Sequence, residues 1–208
     1  MFYWKCCYEK EFKITVIGIT GKTGCGKSSA AEYLGKKLNA SLVLDVDQLS
    51  KKIYCKNLTI VKKITDVFGN EVIKNNGTVD FTKLGRIVFD DFSQMKKLND
   101  MMFPLINESI SELIKANIDK KYIIIDAAIL FDAGLDRFCN KIIYLTANAK
   151  EREKFLKCKN SDLCIDDIRQ RICNQKIKVD TDKIDYIINN DSSLEDLYKD
   201  IDTLIKKL

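Results

Sequence analysis

Apolar residues fall along this chain in two alternating rhythms. Short β-branched or apolar runs stand at Ile14-Thr15-Val16-Ile17, Ala40-Ser41-Leu42-Val43-Leu44-Asp45-Val46-Asp47, Lys121-Tyr122-Ile123-Ile124-Ile125-Asp126, Lys141-Ile142-Ile143-Tyr144-Leu145 and Asp185-Tyr186-Ile187-Ile188-Asn189-Asn190. Each reads as a strand, and the third, apolar throughout, has the character of a central parallel strand. Between them the spacing turns helical. Ala30, Leu34 and Leu38 share one face after the first strand. Residues 48–118 read as largely helical. Asp66-Val67-Phe68-Gly69 ends one helix, Asn75-Asn76-Gly77 is a tight turn, and Asp80 caps a helix running to Phe89. A longer helix over 93–118 is expected to be interrupted near Pro104, because proline removes one ladder donor.

A charged helical stretch over 150–159 precedes a break at Asn160-Ser161. Ile165, Ile168 and Ile172 then form a helical stripe flanked by Arg169 and Arg171, with Gln175 one turn beyond Arg171. That basic helix–turn–helix reads either as a lid over phosphates or as an exposed charged hairpin. The last helix opens with a Ser192-x-x-Glu195 capping box and turns Leu194, Leu197, Ile201 and Leu204 inward. Strands alternating with helices over 208 residues indicate one α/β domain.

The first strand leads into Gly18-Ile19-Thr20-Gly21-Lys22-Thr23-Gly24-Cys25-Gly26-Lys27-Ser28, which fits G-x-x-x-x-G-K-[ST] in its strand–loop–helix setting. Glycines let a backbone turn its N–H groups around a phosphate, where a Cβ would strain the turn or block the approach. The helix beginning near Lys27 adds its unpaired donors and the positive end of its dipole. Lys27 supplies charge to the β/γ-phosphates and the Ser28 hydroxyl a ligand for Mg²⁺. The stretch from Gly21 through Lys22, Thr23, Gly24, Cys25, Gly26, Lys27, Ser28 and Ser29 is therefore the expected ATP-binding loop. Cys25, between two glycines and beside a helix N-terminus and Lys27, is expected to be a low-pKa, reactive thiol.

Two further acids gain meaning from that loop. Asp45 closes the second strand and Asp47 lies just past it, at the carboxyl end of the strands, where open α/β folds bind ligands. Asp47 is a candidate general base, while an acid at such a place also serves as a helix cap. Asp126, ending the third strand, occupies the position that holds Mg²⁺ directly or through water.

Composition narrows the chemistry. The chain has no histidine, so a general base must be a carboxylate, lysine, tyrosine or thiolate. A net charge of +5, with lysines scattered among acids, favours small anionic ligands over nucleic acid. Eight cysteines with no C-x-x-C pair indicate reduced thiols in a cytoplasmic setting rather than a zinc or redox motif. No run reaches membrane-spanning length. Residues 1–12 lack signal- and transit-peptide features, and Phe2 excludes myristoylation.

The ordered set of motifs resembles the dephospho-coenzyme A kinases, from Ile14 nearly to the end of the chain. Its pieces are the phosphate loop, Leu44-Asp45-Val46-Asp47, Leu84-Gly85-Arg86-Ile87-Val88-Phe89, Leu98-Asn99 with Pro104-Leu105-Ile106, and Asp126-Ala127-Ala128-Ile129-Leu130-Phe131-Asp132-Ala133-Gly134-Leu135. Arg171-Ile172-Cys173-Asn174-Gln175 and Asp185-Tyr186-Ile187-Ile188-Asn189-Asn190 complete it. The resemblance implies a three-layer α/β phosphate-loop kinase fold with a five-stranded parallel sheet, an inserted helical acceptor domain and a helical lid. The expected division is a core of 14–56, 119–147 and 179–208, an acceptor insert over 57–118, a lid over 148–178, and a leading extension over 1–13.

It also implies transfer of the ATP γ-phosphate to the ribose 3′-hydroxyl of dephospho-CoA, the last step of coenzyme A synthesis. Asp47 would be the base, Arg171 a lid arginine at the phosphates, and Lys27 the third catalytic group. Asp47, Arg86 and Leu130 would contact the acceptor, and Mg²⁺ would bridge Ser28, the phosphates and, through water, Asp126. The partners implied are two small molecules, ATP and dephospho-CoA; oligomeric state is left open. Four features depart from the family pattern: Phe103 where histidine is usual, Ala128 for proline, Asp132 for glutamate, and lysines for arginines over 154–159, with Arg152 kept. Two other readings stand beside this one: another small-molecule phosphate-loop kinase, and a nucleotide-binding regulator without transfer activity.

Overall fold

The computed structural model describes residues 14–40, 42–159, 165, 168, 169, 172 and 177–208. The readings made on residues 1–13, the Asn160-Ser161 break, Arg171 and Gln175 lie outside those residues. Five strands form one sheet: β1 (Thr15–Gly21), β2 (Leu42–Asp45), β3 (Tyr122–Asp126), β4 (Lys141–Thr146) and β5 (Tyr186–Asn189). Every pairing is parallel, in the order β2-β3-β1-β4-β5.

The helices are α1 (Lys27–Leu38), α2 (Val46–Lys56), α3 (Leu58–Phe68), α4 (Phe81–Asp90), α5 (Phe92–Lys115), α6 (Ala149–Lys159) and α7 (Leu194–Ile205). Strand residues alternate between two apolar layers, as the period of two requires. Val16, Ile123, Ile125 and Ile142 join the layer built by α3, α4 and α5, with Leu49 and Ile53 of α2 packed against it. Ile17, Ile19, Ile124, Ile143 and Leu145 join Ala30, Ala31 and Leu34 of α1 and Leu197, Ile201 and Leu204 of α7 on the other face. Three layers result, and the continuous apolar strands in the sequence are those covered on both sides. Among the described residues no helix is long and apolar enough to cross a membrane.

Two local expectations are overturned. Helix α5 runs unbroken through Pro104. Leu98, Met102, Ile106 and Ile110 are all buried along one stripe on both sides of the proline. Each contributes about 1.5–3 kcal/mol on burial, so together they outweigh the ~3 kcal/mol that an interior proline costs. The cap of α7 is Ser193 rather than Ser192. Its hydroxyl accepts from Asp196 N–H at 3.2 Å and donates to the Asp196 carboxylate at 2.8 Å. That one-residue shift turns Leu194 out to solvent while the other three apolar residues stay buried.

Topology positions the site. From β1 the chain crosses to β2, and from β4 it crosses to β5 on the opposite side. Those diverging crossovers leave a crevice at the carboxyl end of β1, where α/β sheets take ligands.

Candidate active site

The loop leaving β1 fills that crevice. Gly24 (φ 82°) and Gly26 (φ 92°) both lie in the left-handed region that side chains avoid. Space forbids a side chain as well: a Cβ on Gly24 would lie 2.8 Å from the Arg152 carbonyl oxygen, and one on Gly26 would lie 2.5 Å from Asn190 Nδ2. Gly26 is the N-cap of α1, offers no side-chain cap, and is followed by a first turn without acids. The donors at the start of α1 thus have no local carboxylate competing for them, which suits an anionic ligand.

Lys27 and Ser28 are the first two residues of α1. Lys27 Nζ donates to the Lys22 carbonyl at 3.3 Å, which folds its charge back over the loop. The Ser28 hydroxyl lies beside the carboxyl of Asp126, the last residue of β3. Burial pushes the Asp126 carboxyl above its ordinary range; the Lys27 charge and the nearby Ser28 hydroxyl oppose that rise, and Asp45 and Asp47 add to it. Four residues predicted from sequence, Lys27, Ser28, Asp45 and Asp47, are thereby gathered around one carboxylate, Asp126. A serine hydroxyl and an aspartate, both hard oxygen donors, fit Mg²⁺, which is commonly held by one or two carboxylates plus substrate phosphates.

The paired aspartates have parted roles. Asp45 stands opposite Asp126 in the sheet register and caps α2 by accepting from Gln48 N–H at 2.9 Å. Asp47 lies in the first turn of α2, exposed at the mouth of the crevice. Lys22 is exposed, while Thr23 and Ser29 are partly covered. Arg86 is exposed on α4, and among the described residues no hydrogen bond or ion pair ties it to the loop group. Leu130 is fully buried after β3, its Cδ2 set against the position a Gly18 Cβ would take, so its side chain belongs to the core.

Cys25 corrects the expectation of a reactive thiol. Its side chain is fully buried in the layer beneath the loop. Desolvation pushes its pKa up, against the opposing pull of the Lys27 charge, the Lys27 backbone N–H and Arg152. The helix terminus and cation are both present, but burial wins.

Two residues that sequence reasoning did not place at the site belong to it. Arg152, on α6 and 5% exposed, donates from Nε to the Thr23 carbonyl at 2.8 Å. Asn190, just past β5 and 3% exposed, donates from Nδ2 to the Cys25 carbonyl at 3.1 Å. The available signals were an arginine among lysines and an amide closing the last strand.

A parallel α/β sheet carrying this loop, its lysine and serine, and an aspartate at the end of the neighbouring strand defines a phosphate-loop kinase. The dephospho-CoA kinase family model matches residues 15–196, and the chain belongs to that family. A dephospho-CoA kinase of Fusobacterium nucleatum is 34% identical over 197 residues, covering 91% of this chain and 96% of its own length. One from Dehalococcoides mccartyi is 32% identical, covering 92% of this chain and 96% of its own. Among solved structures, the TT1252 protein of Thermus thermophilus superimposes with a TM-score of 0.74 at 22% identity, covering 94% of this chain and 98% of its own. A shikimate kinase of Bacteroides thetaiotaomicron shares the fold at a TM-score of 0.53 and 15% identity, covering 92% and 98%.

Proposed function

We propose that this chain transfers the γ-phosphoryl group of ATP to the ribose 3′-hydroxyl of dephospho-CoA, giving CoA and ADP in the last step of coenzyme A synthesis. The observation that carries the reading is the convergence of Lys27, Ser28, Asp45 and Asp47 on the buried Asp126, at the mouth of a loop with an open helix N-terminus. The loop over residues 21–29 binds the ATP phosphates, and Lys27 neutralises charge on the β/γ oxygens. Ser28 and, through water, Asp126 would hold Mg²⁺, which would supply charge neutralisation at the phosphates.

Asp47 takes the proton of the 3′-hydroxyl as its oxygen bonds to the γ-phosphorus and the bond to the β–γ bridging oxygen breaks. ADP leaves with that bridging oxygen. In this reading the helices over 57–118 form the acceptor side and carry Arg86, and Arg171, in a lid over 148–178, completes the phosphate contacts. Core segments 14–56, 119–147 and 179–208 carry the nucleotide site. The partners are the two small molecules, with no nucleic acid, and the compartment is the cytoplasm.

The experiment is ADP release from Mg-ATP with and without dephospho-CoA, with the product weighed. Acceptor-dependent ADP release and a gain of one phosphoryl group on the acceptor are expected. ATP binding with no acceptor stimulation would overturn the reading.

A further inference from the structure

A phosphate cradle works only if its amides point inward, and in a trans peptide the N–H of one residue points opposite to the carbonyl of the residue before it. Fixing a carbonyl outward therefore aims the next N–H inward. In this loop the two carbonyls held by buried side chains are those of Thr23, by Arg152 Nε at 2.8 Å, and of Cys25, by Asn190 Nδ2 at 3.1 Å. The amides opposite them belong to Gly24 and Gly26. Both planes are followed by a glycine of positive φ, 82° and 92°, where a flip meets less steric resistance than beside a side chain. Each of these two planes is pinned.

We propose that Arg152 and Asn190 are positioning residues of the nucleotide site, which aim the Gly24 and Gly26 amides at the ATP phosphates. The inference rests on the ATP-binding reading above. Geometry around the two donors is specific. The Arg152 carbonyl and the Leu156 Cγ lie 2.8 and 3.0 Å from the space a Gly24 Cβ would fill, so α6 seats directly on that glycine. Asn190 Nδ2 sits as close to Gly26, and its own N–H donates to Thr146 at 2.8 Å, which fixes it to the end of β4. Its Oδ1 is buried with no partner among the described residues, so the bond to Cys25 is what its buried amide retains. Arg152 also brings a charge behind the loop that is felt at Cys25 and at Tyr144.

The test uses the full chain with Arg152→Met, which keeps the stem without a donor, Asn190→Leu, which keeps the branched skeleton without a donor, and Arg152→Lys, which restores charge and a donor. Mg-ATP affinity is expected to fall about tenfold in each of the first two, the size of one lost buried hydrogen bond, with dephospho-CoA affinity unchanged. Arg152→Lys is expected to recover most of that loss. With nine glycines in the chain, a ¹⁵N-glycine spectrum without nucleotide gives a second reading. Arg152→Met is expected to move the Gly24 signal most and Asn190→Leu the Gly26 signal most. Lowered melting temperatures with unaltered Mg-ATP affinity and unmoved glycine signals would reduce both residues to packing and overturn the proposal. Should Arg152→Met fail to fold, Arg152→Lys and Asn190→Leu still decide it. If the unaltered chain binds no Mg-ATP, the earlier reading fails, while the nucleotide-free glycine spectrum still answers whether the two side chains aim the amides.

Discussion

The two sides to which we assign nucleotide and acceptor are built on opposite plans. On the nucleotide side, glycines are jammed against neighbouring backbone and side chains, the loop thiol is buried, and two loop carbonyls are held by buried side-chain donors. On the acceptor side, Asp47 and Arg86 stand exposed on helices. Phosphate capture requires several donors held at fixed directions, so that half is pre-formed. In the role proposed for Asp47, a proton acceptor for an alcohol needs reach and a solvated carboxylate, and that half is open.

Substitutions separate the two plans. Lys27→Ala is expected to lower kcat/KM about 10³-fold by removing charge at the transferring group, whereas Lys36→Ala, exposed in the last turn of α1, changes it less than about twofold. Steady-state kinetics with both substrates varied measures this; equal effects would abolish the distinction. Asp47→Asn is expected to lower kcat about 10²-fold, the usual worth of a general base, with Mg-ATP affinity intact by calorimetry. Equal loss of affinity and rate would move Asp47 from the open side to the phosphate side.

Gly24→Ala and Gly77→Ala compare an enclosed loop glycine with a glycine in a solvent turn. Both have positive φ, but a Cβ on Gly77 meets nothing within 4 Å. Gly77→Ala is expected to cost about 1 kcal/mol and Gly24→Ala more than about 2 kcal/mol in urea unfolding, with Mg-ATP binding lost only in the latter. The smallest effect is chemical. Burial pushes the Cys25 thiol up and takes Cys139 to about 12, so both stay protonated, and poorly nucleophilic, at neutral pH. Iodoacetamide at pH 7.5 is expected to mark exposed Cys55 and Cys158 first, with Cys25 reacting only as the pH climbs well above the ordinary thiol range. Early labelling of Cys25 on peptide mapping would mean that the loop opens on its own.

What was legible in the sequence follows the same division. The loop, its strand and its helix are contiguous, so spacing alone reveals them, and each of the five strands appeared as an apolar run. Asp126 was readable because an acid ending a central strand gains meaning from a loop already found. Pro104 was misjudged because a proline's cost is local, whereas the burial of Leu98, Met102, Ile106 and Ile110 that outweighs it comes from the tertiary fold. Cys25 was misjudged in the same way: the nearby cation and helix end are written in the sequence, but the depth of burial is not. Arg152 and Asn190 escaped because no spacing rule connects them to a loop 129 and 165 positions away.

That separation bears on how the molecule is made. The motif at residues 21–28 is synthesised well before Arg152 and Asn190, its two distant supports, which follow 129 and 165 positions later. During synthesis the nascent chain therefore displays a recognisable nucleotide motif long before it has a finished one. If the two side chains aim the loop amides as proposed, competence for ATP waits until the fifth strand docks, and a prematurely terminated product would keep the signature and lack the grip.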